Sequence, residues 1–540
     1  MKPPAKVLFI AMDAGNKYLI QSWAADGTLK TFGTLLAKGL VGDTASLEGF
    51  FEGATWPSFY TGVTPARHGF HRHVQLNPGT YEYYRCYPGD FIRAEPFWNY
   101  LSYAGRKVAI LDIPMSGISK KINGIQMVEW GAHDHNYGFC TWPQKLRQEV
   151  LTGFDRHPLR KSCDRSERSA EDFCVFRDLL IQGAQRKAEL TNHYMRSGGW
   201  DFFAQVFSES HCVGHQCWHL HDPGHPGYDP EVVAITGDPV RDVYKAIDAA
   251  IGDILKQTGN DTVVVFLASH GMAHNFGASF LLRDILIRLQ VAESSSSKIP
   301  VGKTPDFIDR LDAAFGWSWR HTPKRIKQRI KPLADRFYCW LHSGHVHAPS
   351  PILHMDLRRS RCFPLDNGGP VGGIRLNLAG REPDGVIKRG AEADAFCEDL
   401  TRDLLGIVDY DTGIPMIKNV KRTDRLYHGE YLDHLPDLLV EWNAEKFVGS
   451  TGTGRPESSR LTLTSEKTGI IEGVNPDSRT GDHRPEGLFI AFGPGIKAGR
   501  LGRTVSVMDF APTFTRLLGV ELPDIDGKPI EEILEADLPR

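Results

Sequence analysis

Residues that can bind a metal ion follow or precede several strand-like runs of this 540-residue chain. The candidates are an aspartate and four histidines: Asp13, His211, His215, His270 and His483. Ligands of parallel-sheet proteins collect beyond the carboxyl ends of the strands, so residues from distant segments can meet there. Imidazole and carboxylate are ligands that zinc-like ions accept. The pattern therefore predicts a metal site built from separate parts of the chain.

The elements that would position these residues alternate between short β-rich runs and amphipathic helical patterns. This alternation predicts an α/β fold with a mostly parallel central sheet, helices on both faces and helical insertions. The predicted strands are 7–11, 108–113, 202–207, 262–268, 437–442 and 488–492. The clearest helix starts at Asp238-Pro239, where an N-cap residue precedes proline, and continues with apolar residues at helical spacing as far as Leu255.

Residues 285–350 differ from the rest of the chain. They contain four consecutive serines and a basic run between Arg320 and Lys331, and they carry no strong strand pattern. We interpret them as an inserted helical lid over a single catalytic domain that spans residues 1–540. A solvated charged face is the alternative interpretation.

Composition narrows the class of protein. The 63 basic and 66 acidic residues give a net charge of −3, which does not favour a nucleic-acid or membrane-surface partner. The nine cysteines are odd in number and form no CxxC pair, which disfavours a disulfide framework and favours a reducing compartment. The first apolar run is too short for a signal-peptide core, and no apolar run reaches the length of a membrane span. We expect a cytoplasmic protein.

One segment indicates the chemistry. Residues 53–70 read GATWPSFYTGVTPARHGF, with Thr55 followed by an aromatic residue and proline. This segment resembles the nucleophile region of the type I phosphodiesterase/nucleotide pyrophosphatase branch of the alkaline phosphatase superfamily. Similar landmarks follow in the same order at 269–272, 376–385, 436–440, 483–487 and 509–513, and the segment around His215 resembles the bacterial phosphohydrolase/phosphomutase-like subgroup.

The resemblance implies a hydrolase of small phosphate esters with two divalent metal ions, usually zinc. Thr55 would attack phosphorus and form a phospho-threonine that water then hydrolyses. The metal that holds the nucleophile would use Asp13, Thr55, His270 and the residue at position 269. The other metal would use the residue at position 211 with His215 and His483.

Two positions depart from the family pattern, because Ser269 and His211 stand where the family has aspartates. The second site then becomes three histidines, a set that can hold zinc. The loss of two negative charges weakens the binding of a second dication nearby. We expect one tightly bound metal and one weaker metal. Four residues are candidate substitute ligands: Glu209, Asp222, His274 and Asp482.

Other interpretations stay open. Thr55 can be a plain helix N-cap, with Ser58 or Thr61 as the reactive hydroxyl. His68, Arg67 and Arg381 fit structural or salt-bridge roles better than roles at the substrate. Two further functions compete with hydrolysis: transfer of the phosphoryl or headgroup to an alcohol, and binding of a phosphorylated ligand without turnover. The residues after Thr55 do not fit the maturation motif of sulfatases, which disfavours that activity.

Overall fold

A computed structural model of the chain describes residues 6–131, 133, 136–159, 163–165, 168–295, 346–347, 355–453 and 456–534. The strands are numbered β1 to β22 in chain order. They are Lys6–Met12, Leu40–Ala45, Val74–Leu76, Tyr83–Arg85, Val108–Leu111, Gly124–Val128, Cys140–Trp142, Phe202–Phe207, Thr262–Ala268, Gly271–His274, Val346–His347, Cys362–Leu365, Val371–Leu376, Val408–Asp409, Ile417–Arg422, Leu438–Trp442, Arg460–Ser465, Gly469–Val474, Gly481–Arg484, Glu486–Phe492, Gly499–Arg500 and Val505–Ser506.

The α-helices of the described residues are numbered α1 to α16 in the same way. They are Lys17–Ala25, Lys30–Lys38, Thr55–Thr61, Pro65–His68, Pro88–Phe91, Phe97–Tyr103, Leu146–Gly153, Ala170–Ser197, Glu209–His221, Pro230–Thr236, Pro239–Leu255, Leu282–Arg288, Ala391–Leu405, Thr423–Leu426, Phe510–Leu517 and Glu531–Leu534. The predicted N-cap is confirmed, because the Asp238 carboxylate accepts a hydrogen bond from the amide of Arg241 at 3.0 Å.

The central sheet has the strand order β21-β2-β20-β9-β1-β8-β5-β6-β7, and β22 also pairs with β2. The five strands from β9 to β6 are mutually parallel, whereas β20 runs antiparallel to both of its neighbours. The prediction of a mostly parallel sheet is confirmed. β5 ends at Leu111, two residues before the predicted end, because Asp112 adopts a left-handed backbone conformation with φ of 56°.

Both faces of this sheet are covered, as predicted. Alternate residues of β1 point to opposite faces, so Leu8, Ile10 and Met12 join one hydrophobic core and Val7, Phe9 and Ala11 join another. The first core is closed mainly by α2, α8 and α11. The second is closed mainly by α3, α6 and α15. This double coverage explains why the central strands are continuously apolar.

The predicted strand 437–442 does not belong to the central sheet. It forms β16, Leu438–Trp442, which lies in a separate antiparallel sheet of order β12-β13-β16-β15. Four of its five residues are buried, because this sheet also packs into a core of its own. A buried antiparallel strand and a buried parallel strand carry the same apolar pattern, so the sequence could not separate them.

Most of the predicted lid lies outside the described residues, namely 296–345 and 348–350. Of the remainder, α12 covers Leu282–Arg288 and β11 pairs with β4. The lid and the single catalytic domain therefore stay predictions. Among the residues that the structure describes, no helix is both long enough and apolar enough to cross a membrane.

Candidate metal and nucleophile site

Three parallel strands bring the candidate residues to one edge of the central sheet. Met12 at the end of β1 pairs with Phe207 of β8 and with Ala268 of β9, so the three strands end level. The chain that leaves each strand therefore enters the same region. The two-stranded ribbon of β10 and β19 completes this region, because it places His483 opposite Met272.

Three histidines converge in this region. His211 and His215 are four residues apart on α9 and share one face of that helix. The Nε2 atom of each lies 3.2 Å from Nε2 of His483, and all three side chains are buried. A tetrahedral zinc ion bound at its usual distance separates two ligand nitrogens by about 3.3 Å. The spacing of this three-histidine cluster therefore fits zinc.

The protonation of the cluster also suits a metal. Nδ1 of His215 lies 2.7 Å from the carbonyl oxygen of Gly481, which can only accept, so Nδ1 donates and the Nε2 lone pair faces the cluster. Burial, followed by the charge of Arg479, holds the pKa of His215 well below its ordinary value. Burial, followed by the proximity of His270, has the same effect on the pKa of His483. Neutral imidazoles are the form that binds a metal.

Thr55 is the first residue of α3, and the N-cap position belongs to Ala54. The Thr55 side chain is buried, and its hydroxyl donates to the carbonyl of Phe51 at 2.7 Å. Ser46 Oγ also hydrogen-bonds the Thr55 hydroxyl. The hydroxyl has one proton, which Phe51 receives, so Ser46 is the donor of the second bond. The helix-cap interpretation of Thr55 is therefore wrong.

Asp13 and His270 lie together at the end of β1 and β9. Nε2 of His270 is 4.0 Å from Oδ1 of Asp13, which accepts a hydrogen bond from the Trp56 indole at 2.8 Å. His270 Nε2 is buried and has no hydrogen-bond partner among the described residues. The His270 ring centre is 4.6 Å from that of His483, so this group adjoins the three-histidine cluster.

Ser269 contacts His270 rather than extending past it. Its hydroxyl lies 2.9 Å from Nδ1 of His270, which directs the opposite nitrogen, Nε2, toward Asp13. Burial lowers the pKa of His270 to about 3, so the ring is neutral at physiological pH. Asp13 and His270 thus offer one carboxylate and one imidazole to a metal, and the serine orients the imidazole.

The alternative hydroxyls are occupied by structural hydrogen bonds. Thr61 donates to the carbonyl of Pro57 at 2.7 Å. Ser58 lies 2.8 Å from Nε2 of His68, and the amide of Phe70 donates to Nδ1 of the same ring. His68 Nε2 therefore donates to Ser58, and burial lowers the pKa of His68 to about 3. His68 cannot serve as a base for Ser58.

The other sequence candidates have partners elsewhere. Arg67 pairs with Asp524 and Asp526, and Arg381 pairs with Glu382 and Asp437. These contacts confirm the salt-bridge interpretation of both arginines.

The candidate substitute ligands also have other contacts. Glu209 pairs with His157 and lies 3.4 Å from Lys187, and His274 stacks on Phe447. Asp222 accepts from the amide of Gly224. Asp482 neighbours His483 on β19 and therefore projects from the opposite face of that strand. Burial, followed by the charge of Glu52, raises the pKa of Asp482 to about 8.

Sequence reasoning missed His133, whose ring centre lies 4.2 Å from that of His211. His133 follows β6, which reads GIQMV, lacks a continuous apolar run and is not among the predicted strands. The same rule that found Asp13 would have found His133 had this strand been recognised. Two cysteines, Cys163 and Cys212, and Arg479 contact His133 and were missed with it.

Comparisons with known proteins give a family and several remote likenesses. The family model described as type I phosphodiesterase / nucleotide pyrophosphatase matches residues 7–304. Murine ectonucleotide pyrophosphatase / phosphodiesterase 5 in complex with AMP shares 12% identity over 99% of each chain, with a TM-score of 0.47. Phosphonoacetate hydrolase from Sinorhizobium meliloti 1021 shares 13% identity over 96% of each chain, with a TM-score of 0.47. Alkaline phosphatase PafA shares 13% over 98% of this chain and 99% of its own, with a TM-score of 0.49. No curated protein matches.

Proposed function

Because this chain belongs to the type I phosphodiesterase / nucleotide pyrophosphatase family, whose members hydrolyse phosphoric esters, we propose that it cleaves a small phosphate ester with Thr55 as nucleophile and with zinc in the three-histidine cluster. The observation that carries the proposal is the convergence of three buried histidines, in which Nε2 of His211 and Nε2 of His215 each lie 3.2 Å from Nε2 of His483. The adjoining His270 and Asp13 would hold a second, weaker metal together with Thr55.

The cluster and its neighbour differ in charge, which sets the expected order of metal binding. Three neutral imidazoles offset none of the positive charge of a dication bound in the three-histidine cluster. At the second site, Asp13 alone offers a carboxylate. Two dications at close range repel each other strongly when few carboxylates offset them. A divalent cation at these residues would act as a Lewis acid on phosphate oxygens and would favour the alkoxide form of the nucleophile.

The chain's own residues define the covalent steps. Thr55 Oγ1 forms a bond to phosphorus while the bond from phosphorus to the leaving oxygen breaks, and the leaving alcohol takes up a proton. Water then attacks the phospho-threonine, releases the phosphate product and returns a proton to Oγ1. Ser46, which donates to the Thr55 hydroxyl, can keep this hydrogen bond when Oγ1 becomes negative and thereby stabilise the alkoxide.

A cavity of about 630 Å³ lies beside the β10–β19 ribbon, on the face of β19 opposite His483. Its lining includes Asp482 and Asn275, which belong to or follow the β10–β19 ribbon, and Arg72, which pairs with Glu52. A small phosphorylated molecule is the proposed partner because of the family match. The cytoplasmic location stays a prediction from the sequence.

The experiment that tests the proposal compares Thr55→Ala with Thr61→Ala. Both threonines are buried on α3, and each donates to the carbonyl four residues earlier at 2.7 Å, so both substitutions remove this bond, while Thr55→Ala also removes the bond with Ser46. With zinc-loaded protein and aryl phosphate mono- and diesters, we expect turnover to fall by a factor of about 10³ or more in Thr55→Ala and to change little in Thr61→Ala. Comparable turnover in the two variants would refute Thr55 as nucleophile.

The same assay separates the competing functions. Phosphoryl transfer to an added alcohol in excess over release to water would identify a transferase. Binding of a phosphorylated ligand by the zinc-loaded protein without any turnover would identify a non-catalytic member. The departures at His211 and Ser269 are the sequence features that favour this second outcome.

A further inference from the structure

Two cysteines and a histidine form a second cluster beside the three-histidine cluster. His133 Nδ1 lies 2.9 Å from Sγ of Cys163 and 3.5 Å from Sγ of Cys212, so both sulfurs flank one nitrogen. All three side chains are buried. They come from separate segments: after β6, in the loop between α7 and α8, and on α9. The proposed hydrolysis uses neither thiol.

Arg479 determines which nitrogen of His133 carries the proton. Its Nη2 lies 3.2 Å from Nε2 of His133, and its guanidinium is held by two hydrogen bonds to the Asp164 carboxylate at 3.0 and 2.9 Å. Arginine only donates, so His133 Nε2 accepts and the proton of the neutral ring is on Nδ1. Nδ1 then donates to sulfur. The same arrangement disfavours a metal bound through Nδ1, because that atom has no lone pair to offer.

The sulfur of Cys163 therefore receives a hydrogen bond from His133, whose Nδ1 also lies within reach of the Cys212 sulfur, and the Cys163 thiol makes a long contact of 3.9 Å with Asp164 Oδ1. The bond from His133 stabilises the thiolate, which is the nucleophilic form of cysteine. Burial opposes ionisation, yet the neighbouring Cys212 and His133 hold the pKa of Cys163 below its ordinary value. Cys217, on the same helix as Cys212, is also buried, and burial raises its pKa. The two buried environments thus have opposite effects on a thiol.

We propose that Cys163 and Cys212 form a site of oxidative modification, at which a hydroperoxide oxidises Cys163 and Cys212 then closes a disulfide. The Cys163 sulfur attacks one peroxide oxygen, the S–O bond forms, the O–O bond breaks and the other oxygen leaves with a proton as water or alcohol. The Cys212 sulfur next attacks the sulfenic sulfur and forms the S–S bond. The hydroxyl of the sulfenic acid leaves with the Cys212 proton as water.

Access favours a small oxidant. Cys163 and Cys212 are 1% and 4% exposed, whereas the Asp164 side chain beside Cys163 is 34% exposed. Hydrogen peroxide is far smaller than an aromatic disulfide reagent and therefore reaches a buried thiol more readily. The modification would also reach the metal cluster, because Cys212 follows His211 directly and an S–S bond of about 2.05 Å draws Cys212 toward Cys163. This last consequence rests on the proposed function, whereas the disulfide itself does not.

The test treats the full-length, zinc-loaded protein with hydrogen peroxide, alkylates the remaining thiols and maps the cysteines by mass spectrometry. We expect a Cys163–Cys212 linkage that dithiothreitol reverses, with Cys163 lost about ten-fold faster than Cys217 at neutral pH. Cys212→Ser should leave a sulfenic acid at Cys163 that dimedone captures when the oxidised protein is unfolded in its presence. Cys217→Ser, the matched control on the same helix, should form the linkage as the wild type does.

A further variant keeps the test decisive if the cysteine variants fold poorly. Arg479→Met removes the donor that fixes the His133 tautomer and should slow the oxidation of Cys163. Absence of the linkage, with Cys163 reacting no faster than Cys217, would overturn the proposal. Protection of both thiols by one additional zinc per chain would also overturn it and would identify a metal centre instead. Linkage without phosphate-ester turnover would leave the modification site standing while the proposed function failed.

Discussion

Restoring the family's carboxylate at position 269 tests how metal binding is divided between the two groups of ligands. Ser269 is fully buried, and its hydroxyl lies 2.9 Å from His270 Nδ1. In Ser269→Asp, a carboxylate beside Nδ1 of His270 lies about 8 Å from a dication bound at Nε2 and gains about 4 kcal/mol at an effective dielectric constant of about 20. Since each 1.4 kcal/mol is a factor of ten, affinity for the second metal should rise by about 10³.

The same substitution should destabilise the metal-free protein. A buried carboxylate without a counter-charge costs several kcal/mol, and the neutral His270 does not supply that charge. The thermal unfolding midpoint of Ser269→Asp should therefore lie below that of the wild type without zinc and should rise more steeply as zinc is added. Zinc content after dialysis should approach two per chain.

The control is Ser269→Asn, which has nearly the size of aspartate but no charge. If both variants respond to zinc alike, the charge argument is refuted. Two tightly held zinc ions in the wild type would refute the premise that Asp13 and His270 form a weak site.

Two further predictions concern stability. Burial lowers the pKa of His68 and of His71 to about 3. Below pH 6.5 the unfolded chain therefore binds protons at these residues that the folded chain does not. The free energy of unfolding should then fall by about 1.4 kcal/mol per pH unit for each group as the pH is lowered. Urea unfolding between pH 7 and pH 5 measures this, and constant or rising stability would contradict it. Lys187 is buried, and its Nζ lies 3.4 Å from Glu209 and 3.7 Å from Asp112. Lys187→Met should therefore lower the free energy of unfolding, measured in urea, by about 3–5 kcal/mol. Lys256→Met, at an exposed ion pair, should change it very little. Equal losses would refute the role of this buried charge network.

Much of the site could be predicted because its strands are long and apolar. The runs that lead to Asp13, His211 and His270 were recognisable, and the rule for strand ends placed their side chains in one region. The long helix that starts at Pro239 was also recognisable, because its cap residue and its apolar spacing agree.

What the sequence could not give were contacts that depend on the tertiary structure. The hydroxyl of Ser46 reaches Thr55 only because the loop after β2 folds back onto α3. Ser269 reads as a weakened ligand in the sequence, and only the fold shows its hydroxyl against Nδ1 of His270. His133 and Cys163 were missed because one follows a strand whose apolar run is broken by glutamine and the other lies in a loop.

The most direct test of the central claim is to find the phosphoryl group on the enzyme. Zinc-loaded protein is mixed with an aryl phosphate ester, quenched in acid during turnover, digested and analysed by mass spectrometry for a phosphorylated residue. We predict one phosphoryl group on Thr55, which is absent from Thr55→Ala and present in the matched Thr61→Ala variant. Steady turnover with no phosphoryl group on Thr55, or with the group on Ser58, would contradict the account.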